Sequence, residues 1–282
     1  IDLFDRIPGP RHWLVWVVLV VQFPAAIVSI GALAKVAGVF LNSILPLPHG
    51  HLVWAVAASV FAAVVAWTGS FDLLKAVMSL FVLLIILGVL YVAVLTMPPL
   101  REVARGFAAL VPIEIPAWAA KSGRIASPWH EILPLMGWAA GGFASQVWYS
   151  YWVLGAGYGL AAGRGWGKPA DTAMLASLSG AEAMSIRGWC RVVQLDATLA
   201  MLIGVTVTSG FMMAGAGVLR PAQLLPAGSQ VAMTLSTIFS QHWGQLGAIL
   251  FLIAGSAAMV STLVGQLSGW PRLLSDCVRV IC

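Results

Sequence analysis

One apolar run is central to the architecture of this chain: LMGWAAGGFASQVWYS, residues 135–150. It lies in a hydrophobic segment long enough to cross a membrane, yet its centre is Gly141-Gly142, followed shortly by Ser145-Gln146. Glycine costs about 1 kcal/mol relative to alanine inside a helix, and a side-chain amide in hydrocarbon needs a hydrogen-bonding partner. Irregular backbone is tolerated at membrane depth only where it is buried in protein or lines a watery cavity. The run therefore predicts a helix that is interrupted within the membrane.

The whole chain has the composition of a membrane protein. Of its 282 residues, 60% are hydrophobic and only 9% are charged, whereas a soluble domain carries about 25% charged residues. We therefore predict an all-α membrane protein whose main partner is the lipid bilayer. Its net charge of +5 is explained by loop lysines and arginines that set topology, so no nucleic-acid partner is predicted.

Six apolar segments have about the 20 residues that a spanning helix needs. A polar connection at 98–128 divides them into two groups of three, residues 1–97 and residues 129–282. The interrupted run falls in the first span of the second group, where we predict a discontinuous helix. The six predicted spans cover about 13–40, 51–67, 71–97, 129–160, 190–219 and 231–267.

Loop charges predict the orientation of the chain. The side that holds both chain ends carries more lysines and arginines than the other side, and cytoplasmic loops carry the excess of these residues. We therefore predict a cytoplasmic N-terminus, with the protein in a bacterial inner (plasma) membrane. The chain begins at Ile1 without methionine, and we expect it to be a fragment of a longer protein, truncated at both ends.

Polar side chains inside the spans are candidates for a functional site, because each is costly in hydrocarbon. Thr262 and Gln266 lie four residues apart in the last span and share one helix face, and Ser261 precedes them. Helix packing in membranes also uses hydroxylated residues, so packing and an ion pathway both stay open. Asp196, in the preceding span, allows an ion pair with Arg191 or a role in ion or proton movement.

The sequence contains none of the enzyme patterns that would suit such a chain. It has no His-Glu-x-x-His or Gly-x-Ser-x-Gly motif, no Walker loop and no paired acids within a span. We therefore predict that the protein is not an enzyme and holds no permanently bound cofactor.

The last span resembles a helix of a known transporter family. LFLIAGS at 250–256 continues into STLVGQLSG at 261–269, and together they resemble the eighth helix of the Nramp family of divalent-metal transporters. By this resemblance the interrupted run takes the place of the sixth helix, and the chain covers about the third to eighth helices. The resemblance implies a leucine-transporter-type fold of two inverted five-helix repeats, joined by the 98–128 connection.

The resemblance also implies a substrate site at the interrupted helix. Such sites lie near the bilayer midplane, where freed backbone carbonyls coordinate cations. The implied ligands of the metal are Gly142, Ala144 and Gln146, and the divalent ion is the transported substrate. The wider implied substrate site comprises Gly141, Gly142, Phe143, Ala144, Ser145, Gln146, Ser261, Thr262 and Gln266.

Two family motifs have no counterpart in this chain. The Asp-Pro-Gly-Asn motif of the first helix would lie upstream of Ile1, and the Met-Pro-His motif of the sixth helix is replaced by residues within 141–145. A thioether ligand favours transition metals, whereas small residues leave room for the waters that Mg²⁺ sheds reluctantly. We therefore predict transport of Mg²⁺ ahead of Mn²⁺ or Fe²⁺, as in the Nramp-related magnesium-transporter branch. The alternatives are an organic-solute (amino-acid-like) transporter of the same fold and a non-transporting membrane scaffold.

Overall fold

A computed structural model of the protein describes residues 1–68, 72–108, 115–121, 127–139, 142–155, 171–226 and 228–282. Every regular element in these ranges is a helix, which confirms the all-α prediction. The α-helices are α1 Asp2–Asp5, α2 Trp13–Ile44, α3 Gly50–Thr68, α4 Asp72–Leu95, α5 Leu100–Ala108, α6 Ala117–Ala120, α7 Pro128–Ala139, α8 Phe143–Gly155, α9 Thr172–Ala176, α10 Gly180–Ala214 and α11 Val231–Ile281. A π-helical turn, Gly215–Leu219, extends α10, and a 3₁₀ turn, Gly228–Gln230, precedes α11.

The long helices have the length and composition of membrane spans. Four qualify alone among the described residues: α2, α3, α10 with its π turn, and α11. A fifth candidate arises only if the end of α4 and the beginning of α5 are counted as one bent span. The sequence predicts six, and one reason for the difference is the segment at 129–160. Its described residues form two helices of 12 and 13 residues, and a span needs about 20 residues.

The short helix α5 turns sharply away from α4. The axes of Ile86–Leu95 and Leu100–Gly106 differ by 116°. The nine residues of α5 include Arg101, Glu102 and Arg105, and one charged residue at the centre of a membrane helix costs about 2.5–3.5 kcal/mol. Three such charges argue against counting the bent pair as a single span.

The chain forms two compact units. The first unit comprises Ile1–Ile30, Gly141–Ile203 and Gly265–Cys282, and the second comprises Gly31–Ala140 and Gly204–Val264. Three of the boundaries therefore fall inside α2, α10 and α11. The predicted division into residues 1–97 and 129–282 on either side of a connection at 98–128 stays a prediction.

Aromatic side chains fill the core of the second unit. Phe239 stacks on Phe251 with ring centroids 4.8 Å apart, and Phe40 lies 5.9 Å from Phe251 on another side. Val89 and Val92 of α4 are fully buried beside this cluster. In lipid, helices associate through van der Waals packing rather than through the hydrophobic effect, so the close fit of these rings holds α2, α4 and α11 together within the unit.

The core of the first unit is built on two tryptophans. Trp148 of α8 and Trp270 of α11 meet edge to face, with ring centroids 5.0 Å apart and an interplanar angle of 78°. Val15 and Val18 of α2 and Leu273 of α11 are buried around them. Edge-to-face aromatic pairs are worth about 0.5–1.5 kcal/mol beyond the area they bury. This contact fixes the side of α8 that faces the protein.

The last long helix has an interruption that is not among the features predicted from the sequence. At Gly244 the backbone takes φ 60° and ψ −153°, so α11 consists of two helical stretches. Gln241, His242 and Gln245 surround this glycine, and such a polar group inside an apolar segment was the available signal. The helix also continues to Ile281, well past the predicted end near 267.

Replacing Gly244 by alanine is expected to destabilise the protein by about 1–3 kcal/mol, because a side chain at this backbone conformation is strained. The space beside the Cα atom is open, so the effect comes from the backbone alone. Gly204→Ala is the matched control, since Gly204 is helical and also has open space at its Cβ position. Thermal unfolding in detergent measures both variants. Equal unfolding midpoints for the two would contradict the strained conformation.

Candidate functional site

The predicted break lies between two helices in the structure. Helix α7 ends at Ala139 and α8 begins at Phe143, with Gly142 between them; Gly141 lies outside the described residues. Gly142 is exposed, and apart from its chain neighbours no atom of the described residues lies within 4 Å of the position that a Cβ would take. Its carbonyl oxygen accepts the backbone N–H groups of Ser145 at 3.0 Å and Gln146 at 3.4 Å. This carbonyl therefore caps the first turn of α8.

The predicted residues on α8 do not share one face. Ala144 is buried on the same side of the helix as Trp148, one turn further on. Gln146 is exposed and Ser145 is half-buried. Phe143 is 40% exposed and contacts Phe4, with ring centroids 5.4 Å apart. Of the two predicted polar side chains on α8, Gln146 is thus the one that faces away from the protein core.

Gln266 is buried and held by a neighbouring helix. Its Oε1 atom accepts a hydrogen bond from the hydroxyl of Ser29, 2.9 Å away on α2. Gln266 belongs to the same compact unit as residues 142–146. The amide oxygen that was predicted to approach an ion therefore already has a protein donor, although a carbonyl oxygen has a second lone pair to offer.

Ser261 and Thr262 belong to the other compact unit. Both hydroxyls donate to the backbone carbonyl of Ala258, at 2.9 Å and 2.8 Å respectively. Thr262 is exposed and Ser261 half-buried. Because the proton of each hydroxyl is used in the helix, the oxygen lone pairs remain available as ligands. Both the packing role and the ligand role predicted for these residues stay open.

A charged network in the first unit was not found from the sequence. Asp276 of α11 is 8% exposed and accepts hydrogen bonds from the hydroxyl of Tyr151 at 2.8 Å and from Nε of Arg279 at 2.7 Å. Arg279 also donates from Nη2 to Asp2 at 3.0 Å. The backbone nitrogen of Ile1 lies 3.4 Å from Oδ2 of Asp276, the oxygen that accepts from Tyr151. The network ties α1, α8 and the end of α11 together.

Asp196 has a partner that spacing along the helix does not suggest. Its Oδ2 accepts a hydrogen bond from the hydroxyl of Tyr149, 2.6 Å away on α8. The alternative of a pair with Arg191 is wrong in this structure, where the carboxylate instead joins α10 to α8. Tyr149 lies one turn beyond Ser145 along α8, so the helix that follows the break is fixed to a second long helix.

Two buried indole groups have unused donors. Nε1 of Trp148 and Nε1 of Trp270 have no hydrogen-bond partner among the described residues. Both rings are more than nine-tenths buried, and an unpaired buried donor costs about 1–3 kcal/mol. The ring of Trp148 also lies directly against Gly269, where a Cβ would come 2.5 Å from its Cδ2 atom.

Acidic and sulfur ligands do not cluster in the part of the chain that the structure describes. Within it, no group of three or more His, Cys, Asp or Glu side chains could hold a metal ion. The ligands predicted at the break are backbone and amide oxygens, which suit hard ions such as Mg²⁺. Searches of protein-family models, of curated proteins and of solved structures gave no match for this chain.

Proposed function

We propose that the protein is a membrane transporter of divalent cations, with Mg²⁺ ahead of Mn²⁺ and Fe²⁺, built on a leucine-transporter-type fold with six spans. The observation that carries the proposal is the interruption at Gly142, between α7 and α8, in a chain whose long helices are apolar. Interrupted helices at membrane depth provide carbonyl ligands for ions. The resemblance of residues 250–269 to the eighth Nramp helix supports the same function.

Helix polarity indicates which backbone groups bind the ion. The first turn of a helix leaves N–H groups unpaired and the last turn leaves carbonyls unpaired, and these ends carry partial positive and negative charge. The carbonyl of Gly142 is already an acceptor within α8. The last carbonyls of α7, which ends at Ala139, are therefore the stronger backbone ligands in this proposal.

Side-chain oxygens complete the proposed set of ligands. Gln146 offers an exposed amide oxygen. Gln266 is held in place, because its Oε1 atom already accepts a hydrogen bond from Ser29. Mg²⁺ usually keeps several of its waters when bound to protein, and the open space beside Gly142 leaves room for them.

An organic-solute transporter is the second candidate. The first N–H groups of a helix have no carbonyl partner within the helix. The beginning of α8 at Phe143 is such a helix end, and it suits a carboxylate rather than a cation. An amino-acid-like solute carries that carboxylate. The two candidates therefore differ in which side of the interruption holds the substrate.

Uptake into proteoliposomes tests the proposal. We expect Gly142→Leu and Gln146→Ala to lower the initial rate of Mg²⁺ uptake by the full-length protein about tenfold or more, because even supporting residues of metal sites are worth about 10–100-fold. The Gly142 variant fills the open space beside the break, and the Gln146 variant removes an amide oxygen. Parallel assays measure uptake of Mn²⁺ and of amino acids.

Matched controls separate the site from general damage. Gly188→Leu and Gln194→Ala make the same chemical changes at exposed positions of α10 and should leave uptake unchanged. Unchanged uptake in both test variants would remove the proposed site. Saturable amino-acid uptake without metal flux would favour the second candidate, and no flux of any solute would favour a scaffold.

A further inference from the structure

Helix α5 has an unusual orientation relative to the helix before it. It begins at Leu100, shortly after α4 ends at Leu95, and its axis makes an angle of 116° with the end of α4. Membrane helices are tilted by about 20° on average from the bilayer normal. If α4 crosses the bilayer, α5 therefore runs close to the membrane plane at the level where α4 ends.

The residues of α5 form two distinct faces. At 3.6 residues per turn, the backbone positions of Leu100, Val103 and Phe107 fall on one side of the helix. Arg101 and Arg105 are one turn apart on the other side, with Glu102 next to them. A short helix with one apolar and one charged face is typical of segments that lie in a membrane interface.

The described side chains of α5 have little protein around them. Leu100 is 70% exposed, and Arg101, Glu102 and Arg105 are exposed as well. Val103 is half-buried. Leu100 on the apolar side and the two arginines on the charged side are thus available to the surroundings.

We propose that α5 is an interfacial helix that binds the surface of an anionic phospholipid bilayer. Its apolar side enters the acyl region, and the guanidinium groups of Arg101 and Arg105 bind the phosphates of lipid headgroups. Guanidinium groups match phosphate geometry and pair with it through two hydrogen bonds. The partner is a lipid surface rather than a protein, because the bend keeps the helix at the boundary to which its two faces are suited. This property is independent of the transported substrate.

Spin labels measure the depth of α5 in the bilayer. Single cysteines replace Val103 or Glu102 in the full-length protein whose native cysteines are changed to alanine, in vesicles of phosphatidylcholine and phosphatidylglycerol. We expect the label at 103 to be relaxed mainly by oxygen, which concentrates in lipid, and the label at 102 mainly by a water-soluble nickel complex. Two labels in water would overturn the proposal, and so would two labels in hydrocarbon.

The headgroup contact has its own test. Each arginine near an anionic surface is worth about a fivefold gain in affinity. We therefore expect Arg101→Gln/Arg105→Gln to reduce the preference for phosphatidylglycerol over phosphatidylcholine, measured by native mass spectrometry, by about 5- to 25-fold. Arg101→Lys/Arg105→Lys keeps the charge and should retain most of the preference. An unchanged preference in the glutamine variant would overturn the headgroup contact. High salt should weaken the preference of the parent protein.

Discussion

Asp276→Asn is expected to destabilise the protein by about 2–4 kcal/mol. Breaking a buried ion pair by removing one partner typically costs about 3–5 kcal/mol, because the other charge is left without compensation. Here the remaining charge is that of Arg279, whose side chain is 27% exposed and which keeps its contact with Asp2. These two facts lower the expected cost. The hydroxyl of Tyr151 would keep an acceptor only if the new amide turned its oxygen toward it.

The measurement is the thermal unfolding midpoint in detergent, together with the half-life at a fixed temperature in case unfolding is irreversible. Asp171→Asn is the matched control, because Asp171 caps α9 by accepting from the N–H of Met174 and asparagine caps a helix as well as aspartate. The double variant Asp276→Asn/Arg279→Gln should lose less stability than the two single losses combined, since the pair is coupled. Strictly additive losses would show that the ion pair contributes nothing.

Gly38→Ala is expected to destabilise the protein by about 1–3 kcal/mol, the usual cost of overpacking. A Cβ at this position of α2 would overlap the carbonyl oxygen of His51 and lie 2.8 Å from the backbone nitrogen of Ala55, both on α3. These are backbone atoms, so no rotamer change can relieve the overlap and α2 must move away from α3. Helix propensity alone would instead favour alanine by about 1 kcal/mol.

Gly31→Ala provides the comparison on the same helix. Apart from its own helix backbone and chain neighbours, no described atom lies within 4 Å of its Cβ position, so alanine there should leave the unfolding midpoint unchanged or raise it. We therefore expect the same substitution to lower the unfolding midpoint at Gly38 and to leave it unchanged or raise it at Gly31, seven residues away. If both variants behaved alike in detergent and in lipid, the close approach of α2 and α3 at Gly38 would be wrong.

The helices were the part of the fold that could be predicted. The segment predicted at 51–67 corresponds to α3 at Gly50–Thr68, because a continuous apolar run that ends at turn-forming residues defines a span by itself. The C-terminal part of α11 could not be found in this way. Arg272, Asp276 and Arg279 end the apolar run, yet a helix that pairs its charges does not need an apolar sequence to continue.

The break at the candidate site could be predicted from the sequence, but the hydrogen-bond partners of the residues proposed for the site could not. The Gly-rich break is visible in a single stretch of sequence, because glycine and polar side chains are locally unfavourable in a spanning helix. The hydrogen bond from Ser29 to Gln266 joins residues 237 positions apart, and that from Tyr151 to Asp276 joins residues 125 apart. Such pairings depend on how the helices pack, and no local spacing rule contains that information.

The π turn at the end of α10 has a consequence for how this helix tolerates changes in length. The N–H of Arg220 bonds to the carbonyl of Gly215, five residues back, so the turn holds one more residue than an α-helical turn would. Within it, Gly217 comes so close to Thr96 that a Cβ would lie 2.7 Å from the threonine Cβ. Deleting one residue between Gly215 and Leu219 is therefore expected to convert the π turn into an ordinary α-helical turn. The residues before and after it would keep their orientation relative to each other. In evolutionary terms, we expect this turn to absorb a single-codon deletion without a change in the rest of the helix.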